Sequence, residues 1–367
     1  MKKKYKILIA PLNFGANISN TEATEIIAQA FADAAPEIET VCFPLLDGGH
    51  GSIQACKYHR RGLAKSYTVH DALNERITCD VFLCCPKATI IECAMLLDRM
   101  ELENQPAAMY SYGIGELINE QYYENTEEIR LLLRDVKGID FGCGAADALG
   151  AEFLDAAGKK IDVTATTITD AYYFDKTNIP KLRVICYCDR DVPLCGPNGI
   201  VNELHRRSGK NAQELSLLDR NLSKLVRLLP AFPASVPGDG CGGGLAYMMR
   251  AMYHAEFRNC REELLADCGF SEVLKGCRRV VTAEGILDRR SLDDDVISGI
   301  RKLCGSIPIT AIIGNVKDDL TAEDFGIDCL LNADIQNLSR LKASSAKQLL
   351  YVAAGKYAER LRNSLKK

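Results

Sequence analysis

Residues 6–10, "KILIA", form an apolar run of strand length, and the alternation that it begins restricts the fold more than any other feature of the chain. After the loop "PLNFGAN" a helix starts: Ser19 and Glu22 make a capping box, and Ala23, Ile26, Ile27, Ala30 and Phe31 recur at helical spacing. The next short apolar run, "ETVCFPL", is again a strand. Strand, helix, strand in this order implies parallel strands joined by a right-handed crossover. The far end repeats the pattern, with "RRVVTAEG" as a strand, "DDDVISGIRKLC" as an amphipathic helix, and "PITAIIG" and "IDCLLNA" as two further strands. Asp293, Asp294 and Asp295 open that helix, where acids meet the positive end of its dipole, a simpler role than a metal cluster. A long helix from about Ile335 closes the chain, with Leu338, Leu341, Leu349, Val352, Ala353, Tyr357 and Leu361 on one side. Both ends therefore predict halves of one doubly wound α/β sheet.

The middle differs. Runs such as "ITCDVFLCC" and "ATIIECAMLL" follow one another like hairpin strands, and helices separated by glycine-rich turns come after them. At 367 residues the chain exceeds what one core usually fills. The simplest arrangement is a discontinuous domain, residues 1–67 and 277–367, with a second α/β domain, residues 68–276, inserted into it and the cleft between them as the default site.

Composition excludes several classes. Hydrophobic residues at 47% and charged residues at 26% are ordinary globular values, and a net charge of -4 with a pI near 5.9 offers no field for gripping nucleic acid. The apolar run after "MKKKYK" ends at Pro11, too short for a signal peptide or a membrane span. Sixteen cysteines raise the question of a disulfide framework, but they are scattered inside apolar runs, which suits buried thiols in a reducing cytoplasm. No CxxC occurs; Cys186 and Cys188, on one face of a predicted strand, are the pair that a metal or redox role would use.

Four loops that follow predicted strands carry candidate chemistry. "PLLDGGHGS" sets Asp47, Gly48, Gly49 and Gly51 after a strand, either as an ordinary Asp-Gly turn or as a cradle whose N–H groups approach an anion. "PGDGCGGGLAYMM" feeds Gly238, Gly240, Gly242, Gly243 and Gly244 into a helix, a natural phosphate site, though it matches neither the Walker nor the dinucleotide pattern. "CDRDVPLCGPNG" places Asp189 and Asp191 at a strand end, where two carboxylates suit Mg²⁺ or a base acting on a hydroxyl. "TAEGILD" places Glu284 and Asp288 in a loop after a strand.

Taken in order, these stretches resemble the glycerate kinase family, the class that phosphorylates the 2-hydroxyl of D-glycerate. The family's "APDSFKGS" stands here as "APLNFGAN", "PLADGGEGT" as "PLLDGGHGS" and "SYGTGELI" as "SYGIGELI". Its "CDVDNPLLGPNG", "PGAGAAGGLG" and "GEGRLD" stand as "CDRDVPLCGPNG", "PGDGCGGGLA" and "AEGILD". The resemblance implies a flavodoxin-like domain with a second α/β domain inserted, and ATP and Mg²⁺ as cofactors. It implies catalytic roles for Asp189, Asp191 and Asp288, with Asp189 also at the metal, and substrate contacts from Asp47, Gly48, Gly49, Asn13 and Glu284. It further implies nucleotide contacts from Gly240, Gly242, Gly243 and Gly244, a small hydroxy acid as partner, and leaves a homodimer open.

The departures are as specific. Leu12 and Gly15 stand where the family has aspartate and lysine, His50 replaces a glutamate, and Ile286 and Asp295 replace an arginine and a lysine. The family loop "GGSATNDGG" becomes "RDVKGIDFG", residues 134–142, which keeps Asp140 and Gly142. Phosphoryl transfer needs positive charge around the moving group, so Arg134, Lys137, Arg206, Arg207 and Lys210 are the replacements to weigh, against solvated loops. Two readings follow: a glycerate kinase, or a family member that binds a sugar acid or nucleotide as a sensor or partner subunit.

Overall fold

The structure is a computed structural model that describes residues 5–366 apart from 16–17, 60–61, 85–86, 104, 209–211, 230–235, 294–295, 334 and 336–341. Lys210, Asp294, Asp295, Leu338 and Leu341 therefore lie outside the described residues, as do the side chains of Arg206, Arg207 and Asp293. Among the described residues the strands are β1 (Lys6–Ile9), β2 (Glu39–Cys42), β3 (Gly62–His70), β4 (Arg76–Cys84), β5 (Ala88–Glu92), β6 (Glu128–Leu132) and β7 (Glu152–Leu154). They continue as β8 (Tyr173–Asp175), β9 (Arg183–Cys188), β10 (Glu256–Asn259), β11 (Arg279–Leu287), β12 (Ile309–Val316) and β13 (Cys329–Asn332). The chain divides into two compact units: unit 1 is Met1–Asp47, Gln54–Arg60 and Arg261–Lys367, and unit 2 is Gly48–Ile53 and Arg61–Cys260.

Unit 1 is built on a five-stranded sheet in the order β2-β1-β11-β12-β13, every pair parallel. Counted within the unit this is 2-1-3-4-5, the flavodoxin-like order. The register sets Ile7 against Arg279 on one side and Thr40 on the other. The helix Asn20–Ala34 forms where its spacing predicts, and the Ser19 hydroxyl caps it by accepting from Glu22 N at 3.2 Å. Ile7, Ile9, Ile27, Phe31, Val281 and Ile312 lie in one buried cluster, because a parallel sheet covered by helices hides its strands on both faces.

The closing helix corrects the sequence reading. It runs Ala343–Ser364, and its buried side is Ala346, Leu350, Ala354, Tyr357, Ala358 and Leu361. Leu349 and Val352, expected inside, are 42% and 38% exposed. Alanines line the inner stripe because small side chains let this helix approach the helix Asn20–Ala34, where Phe31 meets Tyr357 edge-on at 6.1 Å.

Unit 2 holds a six-stranded mixed sheet, β3-β4-β5-β6-β9-β10, and the small pair β7-β8. The first three strands pair antiparallel, as the hairpin-like runs predict, and β5, β6, β9 and β10 continue in parallel. β5 is buried throughout, and β9 is buried from Val184 to Cys188, which explains their mostly apolar sequences; Thr89 and Glu92 are the buried polar residues of β5. No helix among the described residues is long and apolar enough to cross a membrane.

Candidate active site

In unit 1 Asn13, Asp47 and Asp288 lie beyond the carboxyl ends of three neighbouring strands, β1, β2 and β11. Beyond β1 the chain keeps pairing, with Leu12 N donating to Ala283 O at 2.9 Å, and Leu45 N beyond β2 donates to Pro11 O at 2.9 Å. This extension carries Asn13 and Asp47 past the sheet. In a 2-1-3-4-5 sheet the winding reverses between the first and third strands, here β1 and β11, and ligands bind outside that switch point. Asn13 Oδ1 already has a task there, accepting from Asn20 N at 2.8 Å. Glu284 corrects the sequence reading: it lies inside β11, opposite Ile313, because "GIL" continues the ladder with β12 as far as Leu287. Asp288 is the first residue beyond the strand; its N–H donates to Ser291 Oγ at 3.2 Å and its carbonyl accepts from Ser291 N at 2.9 Å.

In unit 2 the loop Gly48–Ile53 is held by acids that sequence reasoning did not single out. Glu92, which ends β5 and is 3% exposed, accepts from Gly51 N at 3.2 Å and Ile53 N at 2.8 Å. Gly49 lies close to the Asp135 carboxylate, which would have to swing aside for a Cβ there, since that Cβ would lie 2.0 Å from Asp135 Oδ2. His50 Nε2 is 2.7 Å from Asp98 Oδ2, its backbone N–H donates to Asp135 Oδ2 at 3.3 Å, and its Nδ1 is 3.8 Å from Glu92 Oε1. Lys137 Nζ lies 3.0 Å from Asp98 Oδ1, so Asp98 binds two cationic groups at once. Arg134, from the same segment, packs its side chain against Gly48 and Gly49.

The His50–Asp98 bond has a pH signature. The hydrogen bond to Asp98 holds the imidazole above its ordinary 6.5, against the opposing effect of burial. Burial works against the charged carboxylate of Asp98, but the bonds from His50 and Lys137 prevail and hold it below its ordinary 3.8. The histidine contribution to stability is therefore complete below 6.5 and lost as pH rises through its raised folded value. The aspartate contribution is complete above 3.8 and lost as pH falls through its lowered one. Urea unfolding of His50→Gln is expected to show its largest deficit against the parent near about pH 5 and almost none near about pH 9.

Asp189 stands at the end of β9, 8% exposed, with Oδ2 3.3 Å from Arg190 Nε and Oδ1 3.7 Å from the Cys241 thiol; Asp191 is exposed. The glycine loop beside it, Gly240–Gly244, is buried against the chain's own backbone. Gly243 has φ +68°, and a Cβ there would meet Gly138 O at 2.3 Å, while its carbonyl accepts from Phe141 N at 3.0 Å. The glycines thus let the segment 138–141 lie directly on the helix start. That segment is fixed a second time by Asp140, fully buried, which accepts from Ser111 N (2.7 Å), Ser111 Oγ (2.6 Å), Gly142 N (2.8 Å) and Gly144 N (3.1 Å).

The described cysteines form no disulfide, and no group of three or more metal-ligating side chains occurs among the described residues. Burial pushes the Cys186 thiol well above its usual range, and contact with Cys241 together with burial does the same to Cys188, so both stay protonated.

In each unit candidate carboxylates stand at the carboxyl ends of parallel strands, the end at which open α/β sheets bind ligands. Residues 7–361 match the sequence model of the Glycerate kinase family, and the chain belongs to that family. The glycerate 2-kinase of Escherichia coli strain K12 is 27% identical over 342 residues, covering 89% of this chain and 90% of that protein. The glycerate kinase of Bacillus subtilis strain 168 is 26% identical over 343 residues, with the same coverage. A crystal structure from Salmonella typhimurium LT2 bearing the designation glycerate kinase 2 has the same fold, with a TM-score of 0.85 over 100% of both chains at 23% identity.

Proposed function

We propose that this chain transfers the γ-phosphoryl group of ATP to the 2-hydroxyl of D-glycerate, giving 2-phosphoglycerate and ADP. The observation that carries the reading is the family match from residue 7 to residue 361, supported by relatives that bear the name glycerate kinase. Asp189 takes the hydroxyl proton or orients the hydroxyl, with Asp191 and Asp288 as the further carboxylates of the reaction. Asp47, Gly48, Gly49, Asn13 and Glu284 are assigned to the hydroxy acid. The short, charged substrate suits backbone N–H groups and polar side chains at strand ends better than an apolar cavity.

Mg²⁺ fits the donor set. It usually keeps several waters and binds through one or two carboxylates together with the substrate phosphates, so a cage of three protein acids is not needed. Asp189 and Asp191 would hold it, and bound there it would neutralise charge on the transferring phosphate. Positive charge from the protein is assigned to Arg134, Lys137 and Arg190. The first two lie in the segment that departs from the family pattern, and Lys137 and Arg190 are each held by a carboxylate in position.

The test is ADP release by purified protein with Mg²⁺, ATP and a panel of 2-hydroxy acids. Turnover with D-glycerate and formation of the 2-phosphate are expected. ATP binding without turnover on any acid in the panel would sink the reading.

A further inference from the structure

Unit 2 contains a hollow of about 340 Å³, and of its lining only Lys137 has been given a role so far. It is lined by the segment 136–139 that follows β6 and by the helix Ile200–Ser208 that follows the loop after β9. Leu102, Val136, Ile139, Ile200 and Leu204 give it aliphatic walls. Its volume falls at the lower end of the roughly 300–1,000 Å³ of small-molecule sites, which are typically apolar with a few fixed polar groups.

The charged groups in the lining connect the hollow to the candidate chemistry on two sides. Lys137 Nζ is 3.0 Å from both Asp98 Oδ1 and Glu103 Oε1, and the other oxygen of Asp98 holds His50 in the glycine turn. Glu203 Oε1 accepts from Arg190 Nη1 at 2.9 Å, and Arg190 Nε reaches Asp189 Oδ2 at 3.3 Å. The glycine loop serves the hollow from behind, because only a residue without a Cβ at 243 allows Gly138 O to lie where it does.

We propose that this hollow takes the heterocyclic base of the nucleotide phosphoryl donor, with Lys137 the lining cation nearest its phosphates. The inference rests on the kinase reading and adds to it where the donor sits. A flat base has weakly hydrated faces that gain from aliphatic walls, whereas a three-carbon hydroxy acid would bring its carboxylate among them and beside Glu103 and Glu203, at a cost. Of the two substrates only the donor fits. Gly243 thereby gains a role beyond the expected contact with phosphate, as support of the pocket floor under Gly138.

Calorimetric titration with Mg²⁺ and ADP, and separately with D-glycerate, tests this on the parent protein and on Ile200→Trp and Val136→Trp, which fill the hollow. The dissociation constant for ADP is expected to rise about tenfold or more in the variants while that for D-glycerate stays unchanged. Unchanged ADP affinity in a folded variant overturns the proposal, and so does a selective loss of D-glycerate binding. If neither variant folds, hydrogen exchange of the parent decides: ADP is expected to protect residues 136–139 and 200–204, and absence of protection overturns the assignment. A parent protein that binds no adenine nucleotide would instead bring down the kinase reading itself.

Discussion

Asp189→Asn is expected to lower kcat on D-glycerate by about 10²–10⁴-fold, the usual worth of a positioned proton acceptor, with little change in KM and an unchanged thermal midpoint. The carboxylate ends a fully buried strand segment and is held by Arg190 on one oxygen, so its position is determined by the sheet and not by a flexible loop. Asparagine keeps the shape and removes the negative charge on which both proposed roles, proton acceptor and metal ligand, depend. Asp191, two residues on, is exposed, and Asp191→Asn is expected to cost much less. Steady-state kinetics on both variants separates the roles: an equal or larger loss in Asp191→Asn would transfer the assignment to that residue.

Asp140→Ala is expected to lower the free energy of unfolding by about 3 kcal/mol or more, since each buried donor left without its acceptor costs about 1–3 kcal/mol. Four donors converge on this carboxylate, and Ser111 Oγ in turn accepts from Ala145 N at 3.0 Å, so the loss spreads to the next helix start. Burial pushes the Asp140 carboxyl up from its usual range against the pull of these bonds. Asp140→Asn, which retains one acceptor oxygen, is expected to lose less. Urea unfolding measures both, and a change below about 1 kcal/mol in the alanine variant would mean that the surrounding backbone repacks without it.

Much of the architecture was legible because hydrophobic period reports secondary structure directly. "KILIA", the spaced helix after Ser19 and the runs near the far end give β1, the helix Asn20–Ala34, β11 and β12 at or near their observed places. The closing helix was misread where it mattered for packing. Its large residues drew the predicted face toward Leu349 and Val352, whereas the inner stripe is set by alanines, whose burial carries almost no hydropathy signal. "TAEGILD" reads as a loop after a strand, yet the ladder of β11 with β12 runs on past Glu284 to Leu287.

The candidate site was legible only in part, and the division is physical. Glycine turns and acids that follow strands are local patterns, which is why Asp47, Asp189 and the two glycine loops stand out as candidates in the sequence. Glu92 and Asp98 act on a loop 39 and 48 positions away, and nothing in their immediate sequence announces that. The one local sign was Glu92 itself, an acid closing the otherwise apolar strand "ATIIE". Ser111 acts through Asp140 in the same way, 29 positions on.

The pairing of Ile7 with Arg279 also sets a timetable for the newborn chain. A ribosome adding about 5–20 residues per second needs on the order of tens of seconds between finishing β1 and finishing its neighbour β11. For most of that interval β1 has β2 on one side and an open hydrogen-bonding edge on the other, while the described strands of unit 2 are still being made. β1 thus gains its second neighbour only after the whole of unit 2 has been made, a late, non-local pairing of the kind that folds slowly.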